Sequence, residues 1–450
     1  MEQRLNAYVD KMVSTIDNVN KINPEYFTKY NVKKGLRNSD GSGVLVGLTE
    51  IGEVHGYVIY DGERKEDEGR LIYRGIDVVE MVRGFQQENR FGFEEVCYLL
   101  MFGELPSKAQ LEEFTQLLGD LRALPGGFTE DMILKAPSSD IMNKLARSVL
   151  VSYSYDSHPD SIEPKNLLRQ SIELIARFPT MAAYGFQAKS HYYGGQSLYI
   201  HMPRPELSTA ENILHMIRPD NKYTRTEAEI LDLALVLHAE HGGGNNSTFA
   251  ARVVSSTETD TYSAIAAAVG SLKGPKHGGA NIKAMEMLDN IKANVSDWAD
   301  DDEVKQYLTK IMNKEVFDRA GLIYGLGHAV YTLSDPRTIL LKEKAHALAV
   351  EKGREKEFLL YDAVERIGPE VFAEKKGTSK NICANVDLYS GFVYNALGIP
   401  TELFTPLFAV SRIVGWCAHR IEEVVCMQKI IRPAYKSISS LKKFVPLEHR

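Results

Sequence analysis

Three glycine-flanked histidine segments carry most of the chemistry-bearing residues of this chain. The first is Leu237-His238-Ala239-Glu240-His241-Gly242-Gly243-Gly244-Asn245. The apolar residues Ile230, Ala234 and Leu237 run into it at helix spacing, so His241 falls at the end of a buried face where the helix meets glycines. An imidazole there either satisfies its hydrogen bonds within the core or meets a ligand. His238 and His241 stand three apart, which also suits a metal. Zinc would need a third ligand, however, and Glu240 is read as pointing off that face. The expected metal is therefore none.

The second segment is Lys273-Gly274-Pro275-Lys276-His277-Gly278-Gly279-Ala280-Asn281. A Gly-Pro turn separates two helices and puts His277 near the N-terminus of the second. The positive end of a helix dipole disfavours imidazolium. A neutral histidine there is able to donate N–H to a developing enolate oxygen. The alternative is an ordinary loop histidine, although the flanking glycines would let backbone or ligand approach closely. The third segment, Tyr324-Gly325-Leu326-Gly327-His328-Ala329-Val330-Tyr331, is followed by Asp335-Pro336-Arg337. Its Gly-x-Gly lacks the third glycine and the preceding strand of a dinucleotide site. Arg337 is a candidate bidentate clamp for a carboxylate.

Three more groups lie downstream. Asp387, in Asn385-Val386-Asp387-Leu388-Tyr389-Ser390-Gly391, reads locally as a helix N-cap. Arg412 ends the apolar run Phe408-Ala409-Val410-Ser411, so burial and an anionic partner are expected. Arg432 precedes Pro433. Together, three histidines, one carboxylate and three arginines fit a small di-acid undergoing carbon–carbon bond formation. The arginines would hold carboxylates, a histidine would polarise a ketone, and the carboxylate would remove a carbon-bound proton.

The elements that must position these groups are mainly helical. Residues 1–40 read as helical and polar. Val44 to Leu48 and Val54 to Tyr60 are β-rich, Asp61-Gly62 is a turn signal, and Leu71-Ile72-Tyr73 completes a small sheet or hairpin. From about residue 78 the pattern is helical. Ser107-x-x-Gln110 and Thr226-x-x-Glu229 read as capping boxes. Residues 261–272 suit a tightly packed buried helix, and further helices are expected at 301–318, 337–352 and 388–397. Asp297 to Glu303 reads as a solvated acidic loop. The class is all-α.

Bulk properties narrow the function. At 450 residues, two domains are the default. The 44% hydrophobic and 25% charged fractions are those of a soluble globular protein. A net charge of −7 argues against general nucleic-acid binding. Four cysteines without C-x-x-C spacing suit a reduced compartment. No apolar run is long enough for a bilayer, and acidic residues near the N-terminus argue against a transit peptide. A cytoplasmic location is expected.

Taken in order, these blocks resemble the citrate synthase family over nearly the whole chain. His238-Ala-Glu-His241-Gly-Gly-Gly-Asn, Gly274-Pro-Lys-His277-Gly-Gly-Ala-Asn, Gly325-Leu-Gly-His328-Ala-Val, Asp335-Pro-Arg337, Asn385-Val-Asp387-Leu-Tyr-Ser-Gly, Phe408-Ala-Val-Ser-Arg412 and Arg432-Pro433 are similar to its signature segments. The resemblance implies condensation of oxaloacetate with an acyl-CoA, acetyl-CoA by expectation, then hydrolysis of citryl-CoA. It makes His277, His328 and Asp387 catalytic and gives oxaloacetate His241, His328, Arg337, Arg412 and Arg432. Arg432 would come from the neighbouring subunit of a homodimer. Ile323, Gly325, Leu326, Gly327 and Ala329 would contact CoA, a substrate here, so no cofactor is expected. The implied fold is a large helical domain, 1–277 and 392–450, with a small helical domain, 278–391, that closes over the substrates. Ala329 and Thr332 depart from relatives that carry basic residues nearby, which leaves Lys376 and Lys380 as candidates for the CoA phosphates. The rivals are 2-methylcitrate synthase acting on propionyl-CoA, a non-catalytic scaffold of this fold, and a metal hydrolase built on His238 and His241.

Overall fold

A computed structural model describes residues 2–19, 21–61, 63–377 and 381–450. The chain divides into two compact units, Met1–Leu48 and Thr49–Arg450. The first contains helices α1 (Glu2–Val19) and α2 (Glu25–Lys29) and an antiparallel bridge between Arg37 and Gly43. Residues 44–48, expected as a strand, form none. A strand needs a hydrogen-bonding neighbour, and here the Val44 N–H returns to the Leu36 carbonyl at 2.9 Å.

The second unit opens with a three-stranded antiparallel sheet in the order β1 (Gly52–Tyr60), β2 (Glu63–Tyr73), β3 (Ile76–Asp77). Register runs from Gly52 opposite Tyr73 to Tyr60 opposite Glu63, with a shift between His55 and Tyr57. The charged stretch before Leu71 is thus strand rather than loop. Pairing with β1 satisfies its backbone whatever its side chains prefer.

Helices follow: α3 (Val78–Gln87), α4 (Phe93–Phe102), α5 (Lys108–Leu121), α6 (Ile141–Ser152), α7 (Pro164–Gly194), α8 (Thr209–Ile217), α9 (Arg225–His238), α10 (Asn246–Ser255) and α11 (Thr261–Lys273). Next come α12 (Ala280–Asn294), α13 (Asp301–Met312), α14 (Pro336–Glu351), α15 (Glu355–Lys376), α16 (Val386–Ala396) and α17 (Phe404–Glu422). The capping box of α5, Ser107 with Gln110, forms as expected. That of α9 does not use Thr226 and Glu229. Two overlapping Thr-x-x-Glu patterns compete there, and Thr224 with Glu227 wins. Glu227 also pairs with Arg218 at 2.7 Å and Lys352 at 2.8 Å, so tertiary partners fix the choice.

The acidic segment 297–303 is the expected exposed loop only as far as Asp300, and its second half is helix. The Asp300 carboxylate caps α13, accepting from Asp302 and Glu303 N–H, and Asp301–Glu303 form the first turn, where the helix dipole favours negative charge. Helix α17 is the hub of the core and packs on α7, α9, α10 and α11. Helices α12 to α16 pack chiefly on one another: α13 on α15, and α14 and α12 on α16. No helix among the described residues is long and apolar enough to cross a membrane.

Candidate active site

Helix α17 displays two stripes at four-residue spacing, which share a helix face. One is Phe408, Arg412 and Trp416. The Arg412 guanidinium lies 4.8 Å from the Phe408 ring centroid, and that ring meets the edges of His238 at 4.8 Å and His277 at 6.2 Å. Arg412 is fully buried. Its Nε donates to the His238 carbonyl at 2.6 Å, while Nη1 and Nη2 have no hydrogen-bond partner among the described residues. A buried guanidinium with two open donors is an anion receptor by construction.

His241 lies past the end of α9, at a turn where Gly242 has a φ of 83° that suits glycine. Its ring stands edge-on to His328 at 5.1 Å and close to Tyr331 at 5.7 Å. Tyr331 stacks on His328 at 4.7 Å, and the Arg337 guanidinium lies 5.6 Å from the Tyr331 ring. Asp335 caps α14 and also grips Arg337 with both carboxylate oxygens, at 3.0 and 2.7 Å. Burial works against the charge on Arg337, but Asp335 outweighs it and holds the group firmly charged.

The three site histidines face these cations as neutral imidazoles or with defined tautomers. Burial, then Arg337, His328 and Arg412, drives His241 well below the ordinary histidine range. Burial and Arg412 bring His277 down to about 4. Its Nε2 lies 3.0 Å from the Ser247 hydroxyl and receives the Ser247 N–H at 3.4 Å, so the proton sits on Nδ1. In His328 the Nδ1 atom accepts from Val330 and Tyr331 N–H, both at 3.1 Å, which leaves Nε2 as the donor.

Asp387 is not the N-cap of α16. Asn385 takes that place, its side chain accepting from the Asp387 N–H at 3.0 Å. The carboxylate is thereby released from capping. Burial pushes it up to about 6, with Arg337 opposing and Asp335 assisting. Such a carboxylate is a base poised near neutral pH.

The segment preceding His328 is pinned by backbone pairing. Leu326 bridges Ala384, Gly327 N–H donates to the Cys383 carbonyl at 2.8 Å, and the Gly325 carbonyl accepts from Asn385 N–H at 2.9 Å. A cleft of about 220 Å³ opens beside it, lined by Ile323, Leu326, Gly327, His328, Thr332 and Lys376 among others. Gly325 and Ala329 do not line this cleft. Gly325 turns at φ 86° against Leu388, and Ala329 is exposed. Lys380 lies outside the described residues. Arg432 is exposed in the irregular tail beyond α17 and is not brought to the cluster by its own chain.

The sheet braces this loop from the other side. Gly69 N–H donates to the Ser334 hydroxyl at 3.1 Å, and that hydroxyl donates to Glu68. A β-carbon on Gly69 would collide with the Ser334 carbonyl oxygen, and one on Gly56 would lie 2.7 Å from the Val330 carbonyl oxygen. Local sequence gave no hint of this contact.

Sequence reasoning missed several other partners. Trp416 was findable, four residues past Arg412. Its indole donates to the Ser247 hydroxyl at 3.1 Å. Glu240, read as pointing off the face of His238 and His241, is fully buried, with Oε1 2.9 Å from His419 Nε2. No group of three or more His, Cys, Asp or Glu among the described residues is arranged to hold a metal ion, and the four cysteines are free.

Comparison with known proteins places the chain. A family model described as citrate synthase, C-terminal domain, matches residues 39–434. A citrate synthase of Synechocystis sp. is 34% identical over 385 residues, 85% of this chain and 89% of that protein. A 2-methylcitrate synthase of Shewanella oneidensis is 32% identical over 384 residues, covering 84% and 92%. Among solved structures, a ternary complex of citrate synthase from Thermoplasma acidophilum with carboxymethyl coenzyme A and oxaloacetate superposes with a TM-score of 0.76 at 27% identity, covering 93% of this chain and 99% of that one.

Proposed function

The chain belongs to the citrate synthase family, and we propose that it condenses oxaloacetate with acetyl-CoA and hydrolyses citryl-CoA to citrate and free CoA. One observation carries this reading: two buried guanidiniums, Arg337 and Arg412, converge with His241, His328 and a carboxylate that burial has pushed up to about 6. A dicarboxylate is the complement of that charge arrangement.

Each residue then has a task set by its chemistry. Asp387, ionised near neutral pH, takes a proton from the thioester methyl group. His277, protonated on Nδ1 and neutral overall, donates to the thioester oxygen as enolate charge develops there. His328 presents Nε2–H to the ketone of oxaloacetate and protonates it as the carbon–carbon bond forms. His241, Arg337 and Arg412 hold the oxaloacetate carboxylates. The cleft beside residues 323–328 takes CoA, with Lys376 at its rim for phosphate. The chemistry calls for no cofactor.

Two further parts of the reading concern assembly. Arg432, exposed on its own chain, reaches the partner's site in a homodimer, and the tail that carries it exposes Tyr435, Leu441 and Phe444, apolar surface suited to a protein contact. Residues 278–391 act as a small domain whose closure excludes water before condensation. The location is cytoplasmic.

The deciding experiment follows free CoA with a thiol reagent, on purified protein given oxaloacetate with acetyl-CoA or propionyl-CoA. Oxaloacetate-dependent release with a higher kcat/KM for acetyl-CoA is expected. A higher value for propionyl-CoA would move the chain to 2-methylcitrate synthase, a reading kept open by its similarity to the Shewanella enzyme. Absence of release from folded protein would leave a silent scaffold.

A further inference from the structure

The second stripe of α17, Ser411, Gly415 and His419, flanks the arginine stripe and, like it, meets the end of α9. The Ser411 hydroxyl donates to the Leu235 carbonyl. Next along the stripe, Gly415 makes room for Glu240. A β-carbon there would fall on the Glu240 Oε2 atom and lie 2.7 Å from the Ala239 carbonyl oxygen. A second glycine, Gly52 at the start of β1, makes room from the opposite side, where a β-carbon would lie 2.8 Å from the Glu240 Cγ. Two elements distant in sequence thus leave out side chains around one carboxylate.

That carboxylate is fully buried, and its two oxygens are treated differently. Oε1 receives His419 Nε2–H at 2.9 Å. The proton is on Nε2 because Arg252 donates to His419 Nδ1 from both Nη2, at 2.6 Å, and Nε, at 3.2 Å. Arg252 is tied in turn to Glu422 and, at 2.7 Å, to Glu423. Oε2 has no hydrogen-bond partner among the described residues. The backbone is held as well, since the Tyr73 hydroxyl accepts the Glu240 N–H at 3.3 Å and donates to the Val236 carbonyl at 3.0 Å.

A buried anion receptor has a problem before its substrate arrives. Its positive charge needs a counter-charge, yet a carboxylate bonded to the guanidinium would occupy the donors meant for substrate. Asp335 solves this for Arg337 by taking Nε and Nη2. Arg412 is treated otherwise, because both its Nη atoms remain open. Burial depresses Arg412 to about 10, and Glu240 leads the influences that oppose this.

We infer that Glu240, whose Oε2 lies against Gly415 one turn along α17 from Arg412, is a positioning residue that supplies the counter-charge of Arg412 without bonding its fork, and so keeps two donors free for an incoming carboxylate. The cradle of Gly415 and Gly52 and the His419–Arg252 chain hold the carboxylate at that station. The inference rests on the reading of Arg412 as an oxaloacetate ligand.

The test combines a double-mutant cycle with a binding measurement. Glu240→Gln keeps the shape and removes the charge, Arg412→Met removes the partner, and the double variant removes both. Melting is followed without substrate, and oxaloacetate affinity is measured by titration calorimetry. Each single variant should melt below the parent, and the double variant should recover most of the loss, because it buries neither charge alone. Glu240→Gln should also bind oxaloacetate more tightly, by about tenfold, since the long-range repulsion between a buried negative charge and the bound dianion is gone, while the KM for acetyl-CoA stays put. Additive melting losses, or weakened oxaloacetate binding in Glu240→Gln, would overturn the inference. Were Glu240→Gln too unstable to purify, the double variant against Arg412→Met alone still decides, since only a counter-charge role makes the added substitution stabilising. Failure of the parent to bind oxaloacetate would sink the functional reading instead, and the melting cycle would still judge the pairing.

Discussion

His277 Nε2 stands 3.0 Å from the hydroxyl of Ser247, a fully buried side chain that also receives the Trp416 indole N–H. With the Ser247 N–H, which donates to the same Nε2 at 3.4 Å, this contact holds the ring and leaves Nδ1–H as the donor in the proposed reaction. Replacing Ser247 with Ala removes the hydroxyl that touches His277, accepts from the Trp416 indole and donates to Asn245, and so loosens the hold on the His277 ring. The expected result is a fall in kcat of about tenfold, with the KM for acetyl-CoA nearly unchanged. Steady-state kinetics on Ser247→Ala measures this, and an unaltered kcat would mean that Ser247 has no bearing on His277.

Asp387 makes a prediction about both activity and stability. Its folded value of about 6 lies above the ordinary 3.8, so the ionised form is penalised in the folded state. The penalty is fully present above pH 6 and vanishes below pH 4. Two pKa units correspond to about 3 kcal/mol, reduced by the solvent that reaches a half-buried carboxylate. Asp387→Asn should therefore melt higher than the parent at pH 7.5, with the advantage gone near pH 4, and should lose turnover. In the parent, kcat/KM should drop as pH falls through about 6. Melting curves at both pH values and an activity–pH profile check each limb.

Gly69 should be intolerant of any side chain. An alanine methyl would meet the Ser334 carbonyl oxygen and come within 2.8 Å of the Tyr331 ring. Gly69→Ala should cost about 1–3 kcal/mol and displace the loop that carries His328, lowering kcat/KM by about a hundredfold. Gly84→Ala in α3, where nothing lies within 4 Å, is the matched control and should be neutral or slightly stabilising. Urea melts and kinetics on the pair would separate backbone crowding from a general glycine effect.

Arg337 depends on its planar fork. Lysine keeps the charge but is unable to bind Asp335 and a substrate carboxylate with the same geometry. Arg337→Lys should raise the KM for oxaloacetate by about tenfold or more and change that for acetyl-CoA far less. Equal changes in both constants would show that Arg337 supports the whole site rather than one substrate.

Arg432 tests the shared site. Mixing and refolding inactive Arg432→Ala with inactive His328→Ala should regenerate about a quarter of parental activity, because half of the mixed dimers' sites would combine a normal body with a normal Arg432. Mixed protein that stays inactive would place Arg432 on its own chain's site or on none.

Local sequence determined the features that depend on neighbours in the chain. The capping box at Ser107, the small-residue helix α11, the glycine breaks around His241, His277 and His328, and the burial of Arg412 all follow from residues a few positions apart. Hydrogen bonds between neighbouring turns and side-chain periodicity are encoded at that range. Tertiary structure decided the rest. It chose Thr224 over Thr226 because Arg218 and Lys352 reach Glu227, and it gave the cap of α16 to Asn385, whose side chain also reaches the Gly327 carbonyl at 2.9 Å. Arg412 reaches a carbonyl 174 residues away, and Glu240 reaches a histidine 179 residues away. No local pattern specifies such pairs. They are selected because a charge or polar group removed from water must find its partner wherever the packed helices deliver one.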